Sequence, residues 1–310
     1  MSFSRTLRHE NCYTPGTPLS DGKTSLNSAY LYLATVLIWG TTWYVIKLQL
    51  GVVDPVVSVF YRFAIAAIIL MLWCGYRRLP LRFPLRAHAG MFFLGLFLFS
   101  TNYVVFYIAS EFVTTGLVAV TFSTIVIFNI VNGALLLGNR VSLKVIVGAL
   151  IGVCGIALVF LPSIDTFHVN GITLCFLGTL LASFGNIASA RNQRFALPVI
   201  QANAWGMTYG TLILLLVILI LDLPFGFDPS ATYVLSLLYL AIFGSILAFG
   251  GYLTLVGRVG PERAAYATVL FPIVALVIST VLEGYQWTFT ALTGVVLVLA
   301  GNYVIARQAH

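Results

Sequence analysis

Residues 54–73 read DPVVSVFYRFAIAAIILMLW, a run whose only basic side chain is Arg62. At 1.5 Å per residue, about 20 apolar positions make a helix that crosses the ~30 Å hydrocarbon core of a bilayer. The pair Asp54–Pro55 marks the break before it. An unpaired guanidinium near mid-membrane costs at least about 2.5 to 3.5 kcal/mol. Arg62 therefore needs a partner or a route to water, and the rest of the chain must supply it.

The whole chain resembles this stretch. Of its 310 residues 60% are hydrophobic and 8% charged, and the mean hydropathy is +1.01. A soluble domain of this size has to cover its surface with charge, so the composition specifies an all-α integral membrane protein. The net charge of +7 does not indicate nucleic acid, because no basic patch interleaved with aromatics lies on a polar domain. Cys12, Cys74, Cys154 and Cys175 have no metal or redox spacing. Residues 1–27, with Pro15, Pro18 and several Ser and Thr, read as a disordered cytoplasmic tail.

Ten membrane spans are expected, at about 28–48, 55–76, 87–108, 113–137, 142–161, 170–190, 199–221, 231–255, 263–282 and 288–306. Placed on alternate sides, the basic residues sort themselves. Arg5, Arg8, Lys23, Arg77, Arg78, Arg82, Arg86, Arg140, Lys144, Arg191, Arg194, Arg258, Arg263 and Arg307 fall on one side. Lys47 falls on the other, with Asp54, Glu111, Asp165, Asp222, Asp228 and Glu283. Basic loops stay in the cytoplasm, so a multi-pass protein of the inner (plasma) membrane with both termini cytoplasmic is expected.

Residues 113–160 and 259–306 match at an offset of 146: Gly138 meets Gly284, Ser142 meets Thr288, Gly148 meets Gly294 and Gly155 meets Gly301. Lys47 and Arg191 end the first span of each half, and Pro55 and Pro198 open the second. Five spans per half is an odd number, so the second copy enters from the opposite face. The expected architecture is two inverted five-helix repeats, residues 28–161 and 170–306, around a central cavity. Inverted repeats place a substrate near mid-membrane and permit two exchangeable states, which points to a transporter.

The stretches LIWGTTWYVIK, DPVVSVFYRFAIAAIIL, LLLGNRVSLKVIVGALIGVCGIALV and VLEGYQWTFTALTGVVLVLAGNYVI resemble the EamA family of the drug/metabolite transporter superfamily over about residues 28–306. Within it the chain most resembles the YddG-type aromatic amino-acid exporters. The resemblance implies a cavity surrounded by spans one, three, four, six, eight and nine, with five and ten outside. It also implies export of aromatic and other neutral amino acids. The family pattern often has Glu after the Gly of the link that follows span four. Here Asn139 and, in the second copy, Tyr285 stand there, so no role for that acid carries over.

Stripes at helical spacing supply the candidate lining: Trp39, Thr42 and Trp43 on span one, Phe99, Asn102 and Tyr103 on span three, Thr121 and Thr124 on span four, Ser183 and Asn186 on span six. Rings can stack on a substrate ring or attract an ammonium, while hydroxyls and amides meet a carboxylate. Each of these residues also has a plain packing role open to it. Arg62 shares a face with Ser58 and Ala66, and is expected to brace the outer end of the bundle through Asp54, Glu111 or Glu283. Direct contact with substrate is the alternative. Pro272, inside span nine, is a hinge candidate.

No span carries an acid near its middle, which disfavours a central carboxylate proton cycle and leaves facilitation, or coupling at Glu111 or Glu283. No catalytic motif, metal cluster or nucleotide loop appears, so an enzyme and a cofactor are not expected. A nucleotide-sugar or phosphate exchanger would need several buried cations, and only Arg62 and Lys47 are available. A drug efflux carrier of the same superfamily stays open. The partners expected are a small amphipathic metabolite and the lipid bilayer, with no oligomer required.

Overall fold

A computed structural model describes residues 21–138, 142–160, 166–252 and 261–306. Among these the chain is helical throughout, with no strand. In order the rods are α1 (Asp21–Lys47), α2 (Pro55–Tyr76), α3 (Leu85–Phe112), α4 (Thr115–Phe122 continued by Ile125–Leu137), α5 (Leu143–Phe160), α6 (Thr166–Arg194), α7 (Val199–Ile220), α8 (Ala231–Tyr252), α9 (Pro261–Leu282) and α10 (Phe289–Ala306). Six of them, α2, α3, α4, α6, α7 and α8, contain described stretches long and apolar enough to cross a membrane. Shorter apolar runs occupy Ile146–Val159, Leu270–Leu282 and Phe289–Val304. Helix α1 starts at Asp21, inside the segment read from sequence as tail. Arg5, Arg8, Arg140, Asp165, Arg258 and Arg307 lie outside the described residues.

Local chemistry sets the boundaries. The Asp54 carboxylate accepts from the Val56 amide at 2.7 Å, and Pro55 begins α2 where no amide donor is needed. Gly138 and Gly284 end α4 and follow α9 with φ of 70° and 67°, a left-handed turn that a Cβ would oppose. Two rods carry π-helical segments, Phe97–Thr101 in α3 and Leu240–Leu247 in α8. In each a serine hydroxyl donates to a carbonyl five residues earlier: Ser100 to Gly95 and Ser245 to Leu240, both at 3.0 Å. Such wide turns concentrate at functional sites.

Small residues decide which rods touch. Helix α5 lies on α10 with backbones in contact: a Cβ at Gly155 would sit 2.6 Å from the Gly294 carbonyl, and one at Gly301 would sit 2.5 Å from the Gly148 carbonyl. The seven-spaced Gly171, Gly178 and Gly185 of α6 meet Phe112, Phe106 and Leu98 of α3. Gly95 of α3 faces Gly206 and Gly210 of α7. Gly40 of α1 and Gly116 of α4 both receive α9, against Val274 and Ser279 respectively. Where lipid surrounds the bundle, close backbone packing of this kind is what holds helices together. On α2 the face bearing Ser58, Arg62 and Ala66 is fully buried.

Candidate functional site

A chain of aromatic rings runs through the middle of the bundle. Trp43 meets Phe106 and Phe122, each at 5.2 Å between centroids, and Phe271 at 6.3 Å. Phe271 meets Trp39 at 6.4 Å, Trp39 meets Phe249 at 5.5 Å and Phe249 meets Phe99 at 5.3 Å. Phe99 then touches Phe63, which touches Tyr103 at 5.0 Å. The rings come from α1, α2, α3 and α4 on one side and from α8 and α9 on the other. Trp39, Trp43, Phe99 and Tyr103 are thus brought together. Phe249 and Phe271, which complete the chain, escaped the sequence reading. Neither was among the residues read as lining; Phe271 directly precedes Pro272, which is buried inside α9.

Arg62 terminates this chain. Its guanidinium carbon lies 4.3 Å from the Tyr103 ring centroid and 5.3 Å from that of Phe63, and its Nε donates to Ser245 Oγ at 3.0 Å. The expected acid partners are elsewhere. Asp54 caps α2, Glu111 is exposed, and Glu283 pairs with Lys47. Bracing through a carboxylate is therefore replaced, among the described residues, by a serine and two rings. Thr42 borders the same place: a Cβ at Gly244 would lie 3.3 Å from both Thr42 Oγ1 and Arg62 Nη2.

The remaining candidates turn inward on the protein itself. Thr121 donates to Leu117 O at 3.0 Å and Thr124 to Thr121 O at 2.6 Å, both within α4. Ser183 accepts from Asn132 Nδ2 at 2.9 Å, and Asn186 donates to Asn129 Oδ1 at 3.3 Å, so these two tie α6 to α4. Asn102 is buried, and its Oδ1 has no partner among the described residues. A separate cavity of about 480 Å³ lies between α2, α7 and α8, lined by Leu70, Gln201, Asn203, Met207 and Ser245 among others.

One end of the bundle is tied by charge. Lys47 Nζ donates to Glu283 Oε1 at 2.7 Å, while the amide and hydroxyl of Thr115 donate to Oε2 at 3.0 and 2.6 Å. Three rods, α1, α4 and α9, converge on this carboxylate, whose side chain is 1% exposed. Burial alone raises its pKa; the hydrogen bonds from Lys47 and Thr115, with the Lys47 charge, outweigh that and hold it below the ordinary carboxylate range.

Two segments of the chain, residues 27–161 and 169–307, each match the EamA-like transporter family. The chain belongs to that family. Among its relatives, this EamA-family protein is 29% identical over 288 residues to an uncharacterized inner membrane transporter, YedA, of Escherichia coli K12, covering 89% of this chain and 91% of that one. It is 27% identical over 290 residues to a probable amino-acid metabolite efflux pump of Salmonella typhimurium, covering 90% and 95%. A solved crystal structure shares its fold with a TM-score of 0.67 at 17% identity, over 91% of this chain and 99% of that one.

Proposed function

We propose that this protein is a carrier that exports amino acids with aromatic and other neutral side chains, and similar small amphipathic metabolites, by alternating access. The observation that carries this reading is the ring chain, whose members come from both halves of the sequence and which holds no acid. Rings from two bodies that move against each other can grip and release an apolar side chain without a covalent step. The names of the relatives, an inner membrane transporter and an amino-acid metabolite efflux pump, support the membrane and the direction.

Ten spans in two inverted repeats, with both termini cytoplasmic, are part of the same proposal. The family matches twice, once in each half. Gly138 and Gly284, 146 positions apart, share the left-handed turn, and the third and eighth rods share the π segment. The contact of α5 with α10 maps onto itself: Gly155 meets Gly294 and Gly148 meets Gly301, which is what a two-fold axis between equivalent glycines produces.

Purified protein in sealed vesicles should move labelled phenylalanine, tryptophan, threonine and methionine above the rate of empty vesicles. Trp39→Ala and Trp43→Ala should each lower aromatic flux about tenfold, the equivalent of one lost ring contact. Flux no faster than in protein-free vesicles for all four compounds would sink the proposal.

A further inference from the structure

We infer that Arg62 is the receptor for a substrate carboxylate, and that the interior is suited to a molecule with one carboxylate, no free ammonium and an apolar or aryl body. This rests on the carrier reading above and, among the small amphipathic metabolites it allows, favours monoanions over the zwitterionic amino acids.

Arg62 has no exposed surface, yet its Nη1 and Nη2 have no hydrogen-bond partner among the described residues. A guanidinium keeps its proton at any physiological pH, so it cannot shed its charge on burial as a lysine can. Tyr103 and Phe63 present ring faces at 4.3 and 5.3 Å. A face offsets part of the charge but gives the guanidinium edge no acceptor. Ser245 takes Nε alone. The buried Tyr107 hydroxyl stands near enough to interact with the guanidinium but makes no hydrogen bond to it among the described residues, and a carboxylate would supply a bidentate pair of in-plane oxygens.

Room is kept for it. The backbone of Gly244 borders the guanidinium with no side chain between them: a Cβ there would crowd Nη2 and Thr42 Oγ1, each at 3.3 Å. The ~480 Å³ cavity between α2, α7 and α8 ends on Ser245, one hydrogen bond from the guanidinium. That volume falls within the range of small-molecule sites. From Arg62 the rings of Tyr103, Phe63, Phe99 and Phe249 follow in sequence of contact, apolar surface beside the guanidinium. No residue that lines the cavity is acidic, and Glu283 is committed to Lys47, so an ammonium would meet no counter-charge. Among the described residues the Arg62 cation has no acid beside it, which favours a monoanion over a zwitterion.

The test uses phenylalanine, N-acetylphenylalanine and phenylalanine amide as probes on the full chain, by thermal stabilisation in detergent and by flux in vesicles. The proposal expects N-acetylphenylalanine to bind at least as well as phenylalanine and the amide to bind about tenfold or more weakly. Arg62→Gln should abolish that discrimination. Because Arg62→Gln can also impair folding, Gly244→Ala supplies the second arm: it should weaken both carboxylates about tenfold and leave the amide unchanged. Equal binding of all three compounds, or equal weakening of all three by Gly244→Ala, overturns the role of Arg62 and leaves the carrier reading standing. Absence of flux for all three, as for the four amino acids above, removes the carrier reading, and this inference with it.

Discussion

Glu283 is nearly sealed from solvent and yet holds its charge, because Lys47 and Thr115 give it donors on both oxygens. Its pKa is lowered in this arrangement, so its contribution to the tie is fully present above the ordinary carboxylate value and fades only as pH falls through the depressed one. If the tie opens and leaves the carboxyl in water, it returns to the ordinary carboxylate range, still ionised at neutrality. Neither state takes up a proton between about pH 6 and 8, and Glu283 cannot couple flux to protons there. Transport in sealed vesicles should therefore be the same, within about twofold, at pH 6, 7 and 8 and with or without a pH gradient. Strict dependence on a gradient would place the coupling proton on another group. The acid was visible in the sequence as a helix-end charge, as was Lys47; their pairing was not, because 236 positions separate them and only the packing of α1 on α9 at Gly40 brings them together.

The helices were legible where a local signal sets their ends and their company. Asp54–Pro55 starts α2 and the seven-spaced glycines of α6 all face one neighbour, as periodicity requires. The π segments left no trace, since FLFST and LAIFGSIL contain nothing that a regular helix would refuse. Thr121 and Thr124 read as lining; their hydroxyls bond back to carbonyls four and three residues earlier in their own helix, a bond open to any helical threonine. Glycine packing on α5 gives a sharp prediction at this scale. A Cβ at Gly155 would lie 2.6 Å from Gly294 O and 2.7 Å from Val298 N, backbone atoms that can yield only if the helices part. At Gly152 it would meet only Ile127 Cδ1, at 3.7 Å. Gly155→Ala should destabilise by about 1 to 3 kcal/mol, while Gly152→Ala stays within about 0.5 kcal/mol. Thermal melts in detergent measure the difference, and equal melts would mean that α5 and α10 do not rest on this contact.

Across the whole molecule the proposed duplication is unequal in its charges. Lys47 has Arg191 as its counterpart at the end of the sixth span, but the position 146 before Glu283 is Leu137, followed by Gly138 and Asn139. An ionic tie therefore exists at the Lys47 end, and the same tie cannot form in mirror image at the other end. Two states related by exchange of the halves would be isoenergetic only if the halves were identical; here one is favoured by the worth of a charge-assisted contact to a nearly buried carboxylate. A bias of about 1.4 kcal/mol is a tenfold population difference. Trp43 sits one helical turn below Lys47 and is 7% exposed with the tie intact. In a chain whose own cysteines are replaced, Trp43→Cys should react slowly with an impermeant maleimide added from outside. Adding Glu283→Gln should raise that rate severalfold, and roughly tenfold if the tie supplies the whole bias. An unchanged rate would mean that apolar packing of α1 and α4 on α9, through Gly40 and Gly116, closes this end without help from the charge.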